Sequence, residues 1–246
     1  MGKAGSKRLE FSTIFNVRDL GGYKTPNGPV REHRFMRSGD TMFLSDEDRQ
    51  ALLDYGVRRV LDLRMAVERP DLSNRMAHVD GVAWMNSSMA DDRTMTPEWM
   101  QSGTVVDFVV QGYQRMLSDK DGVRAMVEFM AAAKPHECVL FHCAGGMDRT
   151  GVVSMLILDV AGVAKDDIVA DYAYSFGDDA EVDELLAHWD HSLPPCPHDG
   201  LEARVRAMYD LLDWIQQTHG TIENLLQDCG VAQKTIDALA AHALED

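Results

Sequence analysis

No apolar run in this sequence approaches the roughly eighteen residues of a membrane-spanning helix, so no membrane span is predicted. A charged–apolar–small leader of the secretory kind is also missing. Cysteine is scarce: the four residues at 138, 143, 196 and 229 show no paired spacing. That predicts a reducing, cytoplasmic setting in place of a disulfide framework, with export by a route needing no signal peptide left open. Basic residues are in deficit, 24 against 40 acidic, for a net charge of −16. The deficit argues against nucleic acid as a partner and against simple electrostatic attraction to anionic membranes. Repeats and low-complexity tracts are absent, and 246 residues suit a single domain over 1–246 with a sizeable core.

What is present centres on His142-Cys143-Ala144-Gly145-Gly146-Met147-Asp148-Arg149-Thr150-Gly151. Cys138 to Phe141 before it reads as a buried strand, and Val152 to Val160 after it as a helix buried all round. A glycine-containing loop between a strand and a helix N-terminus turns backbone N–H groups inward and is suited to hold an anion. Cys143 and Arg149 bracket five residues, the C-x5-R spacing of cysteine-dependent phosphatases. Thiols at helix N-termini ionise more readily than free ones, which makes them nucleophiles. Arg149 offers a planar fork for two phosphate oxygens. Gly145 and Gly146 allow close backbone approach, Thr150 is placed to donate its hydroxyl to Cys143, and His142 to orient the loop through hydrogen bonds. Backbone amides from Ala144 to Arg149 (Gly145, Gly146, Met147 and Asp148 between them) would form the phosphate cradle.

Elsewhere, Ser45 with Asp48 predicts a capping box opening a helix that ends near Gly56. Val57 to Leu63 and Gly81 to Met85 read as strands, with Asp62-Leu63-Arg64 at the sheet end where sites assemble. Arg18, Asp19 and Glu68 are equally readable as surface salt-bridge residues. Residues 86–101 are polar and weakly patterned, and about 86–117 is a candidate lid insertion. Helices are predicted over about 104–117, 122–133, 165–177, from Leu201 through Ile215, and over about 221–228 and 232–244, the last three forming a C-terminal helical part over about 199–246. His188, His191, Cys196 and His198 suit zinc by type, but their spacing matches no zinc pattern, and Pro194, Pro195 and Pro197 mark a linker. The first six residues match a myristoylation pattern and are read as a disordered basic leader.

The loop at 142–151 together with Asn16-Val17-Arg18-Asp19-Leu20-Gly21-Gly22 resembles the bacterial tyrosine/serine/lipid phosphatases typified by mycobacterial protein tyrosine phosphatase B. The likeness extends through Asp62-Leu63-Arg64, Ala170-Asp171-Tyr172 and the closing helices, nearly the whole chain. It implies a parallel-sheet α/β phosphatase core flanked by helices, phosphorylated protein, peptide or small phosphoester substrates, and no metal or cofactor. It further implies Cys143 as nucleophile, Arg149 as phosphate clamp, and Asp62 and Arg64 in support. Asp148 in the loop is the first choice as general acid, Asp91 the alternative, with Asp62 or Asp92 behind them. Met147 stands where the family usually has lysine, and a thioether brings no positive charge for a polyanionic phosphoinositide.

Overall fold

The computed structural model describes residues 7–69, 74–88, 104–189 and 200–245. The chain opens with short strands β1 (Lys7–Arg8) and β2 (Arg18–Asp19), then a separate hairpin of β3 (Lys24–Thr25) and β4 (Gly28–Pro29). β5 (Phe35–Ser38), helix α1 (Asp46–Tyr55), β6 (Val57–Asp62) and β7 (Ala83–Asn86) follow. Helices α2 (Val105–Ser118) and α3 (Lys120–Ala131) lead to β8 (Cys138–His142) and α4 (Asp148–Val160). The remainder is helical: α5 (Lys165–Ala173), α6 (Asp179–Ala187), α7 (Leu201–Thr218), α8 (Ile222–Asp228) and α9 (Gln233–Leu244).

The main sheet runs β1-β2-β5-β8-β6-β7, with β8 central. β5, β8, β6 and β7 are parallel, whereas β1 and β2 pair antiparallel at one edge. The four core strands are parallel, as the family likeness implied, and the antiparallel edge pair makes the whole sheet mixed. Side chains alternate across it with period two. Phe35, Leu61, Val139 and Phe141 enter the large core under the helices, while Met36, Val60, Cys138 and Leu140 enter a smaller core with Leu52 of α1.

α4 is buried from Thr150 through Leu158 because helices pack around it and the sheet lies beneath. Fully burying each of its Val, Leu, Ile and Met side chains stabilises the fold by about 1.5–3 kcal/mol. Gly151 lets α5 approach, since a Cβ there would lie 2.5 Å from the Tyr172 ring.

Several boundaries differ from the sequence-based expectations. Ser45 Oγ caps α1 by accepting from Asp48 N at 3.0 Å. The reciprocal half of the capping box is not made, because the Asp48 carboxylate instead accepts from Ser12 N, Thr13 N and the Thr13 hydroxyl. The helix expected over 165–177 stops at Ala173, and α6 restarts at an Asp178 cap. Within the candidate lid, residues 89–103 lie outside the described residues. Val105–Ser118 is α2, whose Val106, Val109, Val110, Tyr113 and Leu117 belong to the main core. The first six residues are outside the description, and Arg8 is fixed in β1 by Asp179 and the Tyr174 carbonyl. Among the described residues, no helix is long and apolar enough to cross a membrane.

Candidate active site

The loop from Cys143 to Met147 joins the C-terminal end of β8 to the first turn of α4. Its carbonyls all have partners, and those of Ala144, Gly145 and Gly146 are held by residues from other parts of the chain. Cys143 O faces His142 Nδ1 at 3.2 Å, and Ala144 O accepts from Asp40 N at 3.0 Å. Asn16 Nδ2 donates to Gly145 O at 3.3 Å and Gly146 O at 2.8 Å, and Arg37 Nη2 adds a bond to Gly146 O at 2.9 Å. Met147 O accepts from Gly151 N at 2.8 Å. Because C=O and N–H point oppositely across a planar peptide, outward carbonyls leave inward amides, which form a concave anion site. Gly146 is required twice over: its φ is +66°, and a Cβ there would lie 2.5 Å from the Ser38 backbone.

Beneath the loop lies a buried cluster of ions. Arg37 Nη1 pairs with Asp171, while Arg18 donates to Asn16 Oδ1, to Asp171 O at 2.8 Å and to Ser175 Oγ at 2.9 Å. Burial, with the Arg37 charge beside it, pushes the Arg18 guanidinium down to about 10. Asp19 accepts from Gly21 N at 2.6 Å, His33 N at 2.8 Å and the Tyr55 hydroxyl at 2.6 Å. Neither Arg18 nor Asp19 is a surface ion-pair residue, since both are wholly buried.

A second buried group supports the start of the loop. Arg64 clasps Asp62 with Nε at 3.0 Å and Nη2 at 2.7 Å, and reaches Asp40 with Nη1 at 2.7 Å. Burial raises the Asp62 carboxyl, but the bonds from Arg64 and Asn74 and the Arg64 charge outweigh it and leave it at about 2. Asn74 Nδ2 donates to Asp62 Oδ2 at 3.1 Å and to His142 Nε2 at 2.9 Å. His142 therefore accepts at Nε2 and donates from Nδ1 to the Cys143 carbonyl, which is the neutral tautomer. Burial holds its pKa below the ordinary histidine value.

Cys143 is a buried free thiol at the bottom of this loop. Arg149 pairs with Glu68 through two bonds of 2.6 Å and donates to Leu63 O at 2.9 Å. Asp148 keeps 42% of its side chain exposed, while its Oδ1 accepts from the Tyr113 hydroxyl at 2.6 Å and Arg204 Nη1 at 2.8 Å. The expected Thr150–Cys143 hydrogen bond is not made: the Thr150 hydroxyl is buried without a hydrogen-bond partner among the described residues. Asp91 and Asp92 lie outside the described residues, as do His191, Cys196 and His198, while His188 faces its own helix at Glu184 O. Asn74, Tyr113 and Arg204 carried no signal in the sequence, because each reaches the site only through the fold. Asp171 stood within a quoted stretch and Glu68 was equally readable as a surface salt-bridge residue, yet no spacing tied them to Arg37 or Arg149.

A free thiol, an inward set of amides and a fixed guanidinium at the C-terminal ends of parallel strands can bind a tetrahedral oxyanion with the sulfur behind it. Residues 9–245 match the model of the tyrosine phosphatase family. The chain is 32% identical over 213 residues to a tyrosine-protein phosphatase of Nostoc commune, covering 83% of this chain and 72% of that protein. It is 28% identical over 283 aligned positions to the triple specificity protein phosphatase PtpB of Mycobacterium tuberculosis, covering 94% and 96%. With a match across nearly all its length and this geometry at the loop, the chain belongs to the tyrosine phosphatase family, whose members are phosphoric monoester hydrolases.

Proposed function

We propose that the protein hydrolyses aryl phosphomonoesters, phosphotyrosine in proteins foremost, through a cysteinyl-phosphate intermediate. The observation that carries this reading is the outward tethering of the loop carbonyls around Cys143, with Arg149 presented by Glu68. The phosphoryl oxygens take the loop amides and the Arg149 guanidinium. Cys143 Sγ attacks phosphorus as the ester P–O bond breaks on the opposite side. Asp148 is the group we assign to protonate the leaving oxygen. Its Oδ1 already accepts two donors, which leaves Oδ2 as the oxygen through which it would act. Water then attacks the cysteinyl phosphate, Asp148 takes back a proton, and inorganic phosphate leaves. Asp62 is wholly buried with both oxygens taken by Arg64 and Asn74, so it has no free oxygen to offer a leaving group. Asp91 remains the alternative acid. A thiolate nucleophile requires a reducing compartment such as the cytoplasm.

The test is phosphate release from p-nitrophenyl phosphate and from phosphotyrosine, phosphoserine and phosphothreonine peptides and phosphoinositides. Cys143→Ser should reduce release to background while still binding a phosphotyrosine peptide. Full turnover by Cys143→Ser would end the proposal. Tight peptide binding by the wild type without any phosphate release would make the protein a phosphate-binding module instead.

A further inference from the structure

Among the described residues, the exposed large apolar side chains are Phe15 (57%), Phe43 (76%) and Val67 (75%). Single exposed hydrophobics are ordinary and need no explanation. These three, however, each lie within three residues of a group that holds the phosphate loop or its arginine. Phe15 precedes Asn16, the residue whose amide holds Gly145 O and Gly146 O, and its ring lies where a Gly39 Cβ would come within 2.7 Å. Phe43 sits in the turn begun by Asp40, whose N–H holds Ala144 O and whose carboxylate holds Arg64. Val67 precedes Glu68, which holds Arg149. The turns carrying Phe43 and Val67 leave β5 and β6 at the same end where β8 delivers Cys143, because these strands are parallel. Phe15 enters β2 at that end too, since β2 runs antiparallel to β5.

Three apolar side chains thus stand around the phosphate loop at the C-terminal edge of the sheet. We propose that they form a docking rim for apolar residues flanking the phosphotyrosine of a protein substrate, a specificity surface that rests on the phosphatase reading above. The occupant follows from continuity: a phosphoryl group seated over Cys143 fixes where its neighbours lie, and those neighbours meet the rim. Charge points the same way. Among the described residues, the arginines near the loop are already engaged by carboxylates, Arg64 with Asp40, Arg149 with Glu68 and Arg204 with Asp148, and position 147 is methionine. The further phosphates of a phosphoinositide would meet arginines that already hold carboxylates, whereas an apolar peptide flank needs no counter-charge and removes apolar surface from water.

The experiment compares kcat/KM for p-nitrophenyl phosphate, for a phosphotyrosine peptide with Leu and Val on both sides of the phosphorylated residue, and for the same peptide with Asp and Glu there. Wild-type protein should prefer the apolar peptide by roughly tenfold. The double variant Phe43→Ser with Val67→Ser should bring that ratio close to one through KM, with p-nitrophenyl phosphate turnover unchanged. Equal use of the two peptides by the wild type, or a ratio untouched by the double variant, overturns the rim. So does a preference for phosphoinositide vesicles over both peptides. Absence of p-nitrophenyl phosphate turnover in the wild type would instead strike the phosphatase reading beneath it, so the two failures are distinguishable.

Discussion

Arg149 meets Glu68 with both terminal nitrogens, a fork-to-fork contact that fixes the plane of the guanidinium as well as its position. Glu68 is in turn steadied by Met65 N at 2.7 Å. Burial pushes the Glu68 carboxyl up, but the Arg149 bonds outweigh it and hold it below the ordinary glutamate range. The pair therefore stays ionised at neutral pH and the arginine is oriented before any oxyanion arrives. Asp148 is held with similar care, by a tyrosine from α2 and an arginine from α7. If Asp148 is the proton donor, Asp148→Asn lowers kcat for alkyl phosphates by about 100-fold and affects a good aryl leaving group less. Rates for the two ester classes measured side by side check this. An unchanged alkyl rate, with the loss appearing in Asp91→Asn, would move the acid to the 86–101 stretch. Cys143 and Arg149 could be singled out in the sequence because their relation is local. Glu68, Asn74 and Arg204 could not, as their contacts span 81, 68 and 56 residues and depend on which strands become neighbours.

At the scale of elements, strand, loop and buried helix around 138–160 were legible from composition alone. A run of apolar residues with no polar face must be surrounded, and α4 is. The break between α5 and α6 was less legible. Phe176 continues the spacing of Ile168 and Tyr172 and its ring still packs on Tyr172, although the helix has ended. The stop and restart are set by Asp178, whose Oδ1 accepts from Ala180 N and Glu181 N. Loop shape depends on a similarly small device. Asn16 has φ of 54° and spends its side-chain donor on two loop carbonyls. Asn16→Gly preserves that backbone conformation and removes both the Nδ2 donor and the Oδ1 that accepts from buried Arg18. It should weaken vanadate or phosphate binding by about tenfold and lower the melting temperature by only a few degrees, since each net hydrogen bond lost contributes about 1 kcal/mol. Calorimetric titration together with a melting curve tests this. A large loss of stability with unaltered oxyanion affinity would contradict it.

Across the whole molecule, buried ionisable groups set a pH profile of opposing parts. Burial, with the Arg34 charge nearby, lowers His242 to about 4, and burial lowers His142 as well. Stability from keeping these rings neutral is present above the unfolded value of about 6.5 and is lost as pH falls. Asp159, half-buried near the end of α4, is pushed by burial up to about 6. Its folded form prefers the proton, so its penalty is absent below the unfolded value near 3.9 and fully present above about 6. Asp159→Asn should therefore melt about 2–4 °C above the wild type at pH 8, with the gap closing by pH 4. Melting curves at the two pH values decide the matter, and a gap independent of pH would refute this assignment.

The buried cluster under the loop also has a consequence for the order in which the chain is made. Arg37 holds Gly146 O but is itself anchored by Asp171 and Ser175, which are synthesised after the loop. When residue 150 has emerged from the ribosome, the thiol and the clamp arginine both exist, yet the counter-ion that fixes Arg37 does not. The anion cradle can close only when α5 and the turn behind it have been made and have packed across α4. An unfinished chain thus carries a cysteine, and only the finished protein carries a pocket for phosphate.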